Sequence, residues 1–281
     1  MIRKTLLSIL FLAGSWTVQA QPFGKLVQKT PGIVSYTLRD SFSKDVPGTL
    51  DKIKAWGITD IEFSSLFGKT APELRALLDQ RGLKCSSYGV SYDAIDQKPD
   101  SILQNAQTLG VQYIRIGSIP HKTAATLEMM KNAAEVFNRF GKKAHEKGIM
   151  FCYHNHGFEF QPYENGTLFD YLVKETNPEH VGYEMDVTWT YLPGQDPAVL
   201  LAKYPKRFRL IHLKDVQKGV ARSDKGSMAN EQSVVLGTGQ IDWPAVLKAA
   251  RKSSIAHFYI EDESKAAEQQ VPQSLAYLKS L

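Results

Sequence analysis

The chain has 281 residues, 43% of them hydrophobic and 22% charged, enough to bury a sizeable core as one large α/β domain or two small ones. The formal net charge of +5 includes basic residues near the N-terminus, and elsewhere Lys and Arg alternate with Asp and Glu along helical segments. Charge therefore implies no nucleic-acid partner.

The first predicted element is a leader. MIRKTLLSILFLAGSWTVQA combines a basic start at Arg3 and Lys4, an apolar centre from Thr5 to Trp16, and a small-x-small pattern at Val18 and Ala20. Residues 1–20 are read as a cleaved secretory signal, so the mature protein starts near Gln21 and is expected to be periplasmic or secreted. The apolar centre is short for a membrane span and no Cys follows to take a lipid, so no membrane association is expected after cleavage.

After the leader, short β-like runs alternate with longer helical ones. The strand candidates are GIVSYTL (32–38), DIEFSS (60–65), KCSSYGV (84–90), QYIRIGS (112–118), MFCYHNH (150–156), VGYEMDV (181–187), FRLIHLK (208–214) and HFYIED (257–262). Between them VPGTLDKIKAWG, APELRALLDQRG, LEMMKNAAEVFNRFGKKAHEKG and WPAVLKAARKS carry apolar residues at helical spacing. Gly57, Gly82, Gly110 and Gly148 close the preceding helices. Eight such strands, each followed by a helix, predict a single-domain (β/α)8 barrel over residues 21–281. A doubly wound sheet is the weaker alternative, because no glycine-rich phosphate loop follows the first strand. Residues 216–240, polar and glycine-rich, read as a long loop after the seventh strand. Cys85 and Cys152, the only cysteines, fall on different strands; a disulfide is open to a secreted protein, and buried free thiols are the preferred reading.

A barrel builds its active site at the C-terminal ends of its strands. There the fifth strand carries His154, Asn155 and His156 with Glu159 close behind, the sixth Glu184 and Asp186, the seventh His212, Lys214 and Asp215, and the eighth Glu261, Asp262 and Glu263. Period-2 alternation puts His154 with His156, Glu184 with Asp186, His212 with Lys214, and Glu261 with Glu263 on inward faces. Imidazoles and carboxylates converging from adjacent strands suit a divalent ion. A lone His or Asp at a strand end is usually structural; their coincidence on consecutive strands is what points to a metal.

The segments CYHNHGFEF, GYEMDVTW, DPAVLLAKYPKRFRLIHLKD, GTGQIDWPAVL and FYIEDE carry a resemblance to the xylose-isomerase-like barrel superfamily of sugar isomerases, sugar-phosphate epimerases and inosose dehydratases. The resemblance implies one divalent ion, Mn²⁺ first, with Zn²⁺, Co²⁺, Fe²⁺ or Mg²⁺ as alternatives. It also implies ligands Glu, Asp, His and Glu from four consecutive strands. Asp186, His212 and Glu261 match the last three. The first departs, since His154 holds that strand position and the nearest glutamate is Glu159. In the favoured reading Glu159 folds back past Gly157 to complete the metal set and His154 is a free base; in the other, His154 is itself a ligand and Glu159 binds substrate or orients a histidine.

The expected catalytic residues are accordingly His154, Glu159, Glu261 and Lys214, with Lys214 stabilising an oxyanion or simply paired to a barrel carboxylate. The expected substrate contacts are Glu62, Arg115, His156, Trp189 and Arg222, with Glu62 also able to orient His154, Trp189 to fill core and Arg222 to be a solvated loop charge. The activity implied is isomerisation or epimerisation of a non-phosphorylated sugar or keto-sugar by enolisation beside a carbonyl. β-Elimination of a 3-keto-glycoside is the alternative, and a non-catalytic sugar-binding barrel the second. An apurinic endonuclease is disfavoured because no histidine precedes His121. The partner expected is a small carbohydrate, and a homodimer is left open.

Overall fold

The computed structural model describes residues 23–121 and 124–281; the predicted leader lies outside them. Eight strands form a closed barrel: β1 (Gly32–Val34), β2 (Asp60–Phe63), β3 (Lys84–Val90), β4 (Tyr113–Ile116), β5 (Met150–His154), β6 (Val181–Asp186), β7 (Phe208–Leu213) and β8 (His257–Ile260). Each pairs in parallel with its sequence neighbours, and β8 closes onto β1. The fold is therefore the (β/α)8 barrel expected. Among the described residues no helix is long and apolar enough to cross a membrane.

Local chemistry fixes the helix ends. The helix Ala71–Asp79 starts in a capping box of Thr70 and Glu73, and Leu127–His145 starts with the Thr126 hydroxyl accepting from the Met129 amide. Gly110 ends its helix at φ +72°, a left-handed conformation that costs a residue with a side chain. Strand β1 is shorter than expected: the chain turns into a 3-10 helix over Ser35–Leu38, and the Ser35 hydroxyl accepts from the Ser64 amide at 2.8 Å.

Alternation separates two cores. Outward residues such as Phe151, Tyr183 and Phe208 pack under the helices with Phe137, Phe140 and Phe169. Inside the barrel a smaller apolar layer of Val34, Cys152, Leu210 and Tyr259 forms a floor beneath polar groups nearer the strands' C-terminal ends. Cys85 and Cys152 are both free and buried.

The excursion after β7 is structured. Asp215–Val216 pairs with Ser233–Val234 as an antiparallel ribbon, and the Asp215 carboxylate gathers its base, accepting from the amides of Val216, Gly237, Gly239 and Ile241 and the Trp243 indole. The excursion reaches back to the mouth through Ser223 N to Leu192 O at 2.8 Å. At Gly226 a Cβ would lie 2.6 Å from the His156 carbonyl.

Candidate metal centre

His154 ends β5, Asp186 ends β6, His212 lies one residue before the end of β7, and Glu261 directly follows β8. All four are buried, and one ligand atom from each lies within 4.8 Å of every other. His154 Nε2 is 3.2 Å from His212 Nδ1 and 3.6 Å from Asp186 Oδ2, while His212 Nδ1 is 4.0 Å from Asp186 Oδ2 and 2.6 Å from Glu261 Oε2. Bonds of about 2.1 Å to a single ion place neighbouring ligand atoms roughly 3.0–3.5 Å apart, inside this spread.

The hydrogen bonding fits a cation. Asp186 Oδ2 is buried with no donor, while its Oδ1 accepts from the Trp189 amide at 2.8 Å. His212 Nε2 lies 2.9 Å from Glu62 Oε1; with its proton given there, the Nδ1 lone pair faces the other donors. A carboxylate that orients a metal-binding imidazole in this way is a common supporting arrangement. Two imidazoles with two carboxylates make a donor set for a borderline divalent ion.

Burial and the groups' mutual charges set their protonation without an ion. Burial lowers the pKa of His154 well below the usual imidazole value, with the charge of His212 adding to it, so its lone pair is available. Burial opposes charge on His212 too, but Glu184, Glu261 and Glu62 outweigh it and raise its pKa. Burial pushes Asp186 up to about 6 against the pull of Lys214. Burial also pushes Glu261 up, but Lys214 and His212 prevail and hold it well below the carboxylate range.

Glu159 is the main correction. Its carboxylate points away from this cluster, bonded by the Tyr153 hydroxyl and by the amides of His156 at 3.0 Å and Gly157 at 2.7 Å. Tyr153 faces outward from β5, so Glu159 clamps the outside of the turn after His154. Gly157 does turn the chain, at φ +105°, but into a 3-10 helix over Phe158–Phe160 that buries Glu159 away from the mouth. His154 stands among the potential ligands in its place, so the reading of His154 as a free base with Glu159 on the metal is reversed. Glu159→Gln is expected to destabilise the fold by about 1–3 kcal/mol, because the amide sets a donor against donors, while leaving metal affinity within a few-fold; urea melts and metal titration check both.

The other expected residues divide by depth. Glu62 orients His212, not His154, and its second partner is Arg115 Nε at 2.7 Å. Arg115 therefore lies under the centre instead of forming a wall. Lys214 is wholly buried, paired with Glu263, 3.8 Å from Glu261 and 4.5 Å from the Trp189 ring centroid. His156 lies at the mouth, its ring 6.2 Å from Trp189 and nearly parallel to it. Arg222 gives Nη1 to the Tyr191 carbonyl at 2.8 Å and covers the Tyr191 ring, which ties it into the loop's own packing.

Two residues that the sequence placed at strand ends without a role prove to be supports. Asn155 accepts from the Asp186 amide at 3.1 Å and donates to the Asp186 carbonyl at 3.3 Å, locking two ligand-bearing strand ends together. Asp215 anchors the loop; the run of glycines in GTGQ was the available signal, since backbone amides need a common acceptor.

The family profile described as xylose isomerase-like TIM barrel matches residues 50–281. The chain belongs to that family. An inosose dehydratase from Clostridium tetani (strain Massachusetts / E88) is 35% identical over 133 residues, 44% of this chain and 44% of the relative, so the match spans less than half of that protein. One from Lacticaseibacillus casei is 24% identical over 250 residues, 77% of this chain and 83% of the relative. Among solved structures, a sugar phosphate isomerase/epimerase from Parabacteroides distasonis ATCC 8503 superposes with a TM-score of 0.73 at 24% identity, covering 95% of this chain and 98% of that one. The IOLI protein with a binding zinc atom superposes with a TM-score of 0.72 at 16% identity, covering 89% and 96%. These structures share the fold.

Proposed function

We propose that this protein is a divalent-metal-dependent lyase that removes the proton beside the carbonyl of a non-phosphorylated keto-polyol or 3-keto-glycoside and expels the substituent one carbon further on. The observation that carries this reading is the replacement of the first expected glutamate ligand by His154. Symmetric epimerisation wants a carboxylate on each side of the enediolate, and here Glu261 stands on one side only. The inosose dehydratases among the relatives support elimination over isomerisation; the two share the enolisation step.

A bound divalent ion would supply Lewis acidity toward the substrate carbonyl. The imidazole pair favours manganese or zinc over magnesium, and His154, Asp186, His212 and Glu261 would hold the ion. Lys214, fixed as a cation by Glu261 and Asp186 despite its burial, is placed to steady charge developing on the oxygen. His156 is kept neutral by burial and by His154 beside it, and its Nδ1 has no partner. We assign to it the proton taken from carbon and returned to the leaving oxygen, so that the substrate loses water or an alcohol and becomes an enone. Trp189 offers a flat wall beside it, and the anchored loop shields the mouth from water. The leader motif supports a periplasmic or secreted setting for this chemistry.

The test is NMR and ultraviolet product analysis in D₂O with metal-loaded mature protein, offered keto-inositols, 3-keto-glycosides and free sugars. Release of the β-substituent with enone formation is expected, and His156→Gln should slow it by about 10²–10⁴-fold with metal content unchanged. Deuterium exchange giving only an epimer would replace the lyase with an epimerase; sugar binding without exchange would leave a binding barrel.

A further inference from the structure

Below the four ligands the barrel holds a second group with the makings of a cation site. Glu62, Glu184 and His212 each place a ligand atom within 4.8 Å of the others, and all three are buried. Glu62 Oε2, both carboxylate oxygens of Glu184 and the Ser87 hydroxyl are buried without a hydrogen-bond partner. Carboxylates so placed persist with a compensating cation or by taking up a proton. Besides His212, the cation that reaches them among the described residues is Arg115, with Nε 2.7 Å from Glu62 Oε1 and 3.3 Å from Glu184 Oε2.

We propose that Arg115 is the resident cation of this latent second site, and that its guanidinium keeps the centre at one metal ion per chain. A guanidinium stays protonated at any working pH and spreads its charge over a plane, so it can bridge both carboxylates without demanding a closed ligand shell. The barrel is shaped to admit it. Gly117, the residue after β4, lies against the guanidinium, where a Cβ would lie 2.8 Å from Arg115 Nη1; one at Gly89 would lie 3.4 Å from Arg115 Cζ. Neither glycine has a positive φ, so what they provide is space.

The consequence reaches the metal centre through His212. Glu62, held by Arg115 on one side, accepts from His212 Nε2 on the other, which leaves Nδ1 for the catalytic ion. With Arg115 removed, Glu62, Glu184 and Ser87 become a mostly oxygen-lined pocket of the kind Mn²⁺ accepts, and the second ion competes for His212.

This inference rests on the metal-centre reading, and metal stoichiometry separates the two. Each full-length mature variant is loaded with excess Mn²⁺, desalted, and counted by inductively coupled plasma mass spectrometry, with circular dichroism as the check on folding. Wild type is expected to retain one ion, Arg115→Met two, Arg115→Lys one, and the double variant Arg115→Met with Glu184→Gln one again. Where the methionine variant does not fold, Arg115→Gln takes its place, also with two expected. A folded Arg115→Met or Arg115→Gln protein that retains one ion at wild-type affinity overturns the proposal alone; a wild type that retains none overturns the metal centre beneath it.

Discussion

Asp186→Ala is expected to yield a folded barrel that no longer retains a divalent ion and turns over substrate at least about 10³-fold more slowly, a loss of roughly 4 kcal/mol at the transition state. The size follows from the position of Oδ2: it is buried, lacks any donor and faces both imidazoles, so nothing in the protein takes its place toward a cation. The other oxygen caps the helix Val187–Tyr191 through the Trp189 amide, and losing a cap costs only about 1 kcal/mol. Burial and Glu261 push the Asp186 carboxyl up to about 6, so an ionised Asp186 at neutral pH is a load on the metal-free fold that alanine removes. Calorimetric metal titration together with a thermal melt checks the pair of effects. Metal binding within tenfold of wild type would remove Asp186 from the ligand set.

Lys214→Met is expected to be the most destabilising single change at the mouth. Lys214 is wholly buried and meets Glu263, Glu261 and the Trp189 ring. Removing one partner of a buried ion pair leaves uncompensated charge and costs about 3–5 kcal/mol, which lowers Tm by on the order of 10 °C in a domain of this size. The Glu261 carboxyl, held low by Lys214 and His212 against burial, would rise toward neutrality. Metal retention should then fall away at a higher pH than in wild type as acid is added. Lys214→Arg is expected to recover stability but not turnover, because a guanidinium spreads its charge over a plane and does not reproduce the compact point charge of the ammonium. Scanning calorimetry read beside kcat decides: a Tm within about 2 °C of wild type for the methionine variant would contradict the account.

The barrel was legible because its signals repeat. Apolar strand runs recur with glycine-closed helices between them, and alternation along β5 to β7 and into Glu261 puts His154, Asp186, His212 and Glu261 on inward faces. Alternation is informative only while the strand lasts, and Glu159 lies five residues past His154, beyond the end of β5 and inside a 3-10 turn, where face can no longer be read. The partner that claims its carboxylate is the outward hydroxyl of Tyr153, a contact that spacing alone does not reveal. Depth was equally hidden. Period 2 shows that Glu62, Arg115 and Glu184 point inward but not that they form a layer beneath the ligands; the register shifts at Ile61/Glu62 and Tyr183/Glu184 fall at two of these three residues.

The most direct test of the account is X-ray absorption spectroscopy of the metal-loaded protein, because outer-shell scattering counts imidazoles around the ion. Two are predicted in the wild type, one in His154→Gln, and two still in Glu159→Gln. A single imidazole in the wild type, with the coordination shell altered by Glu159→Gln, would contradict the His154 centre and return the first ligand position to Glu159.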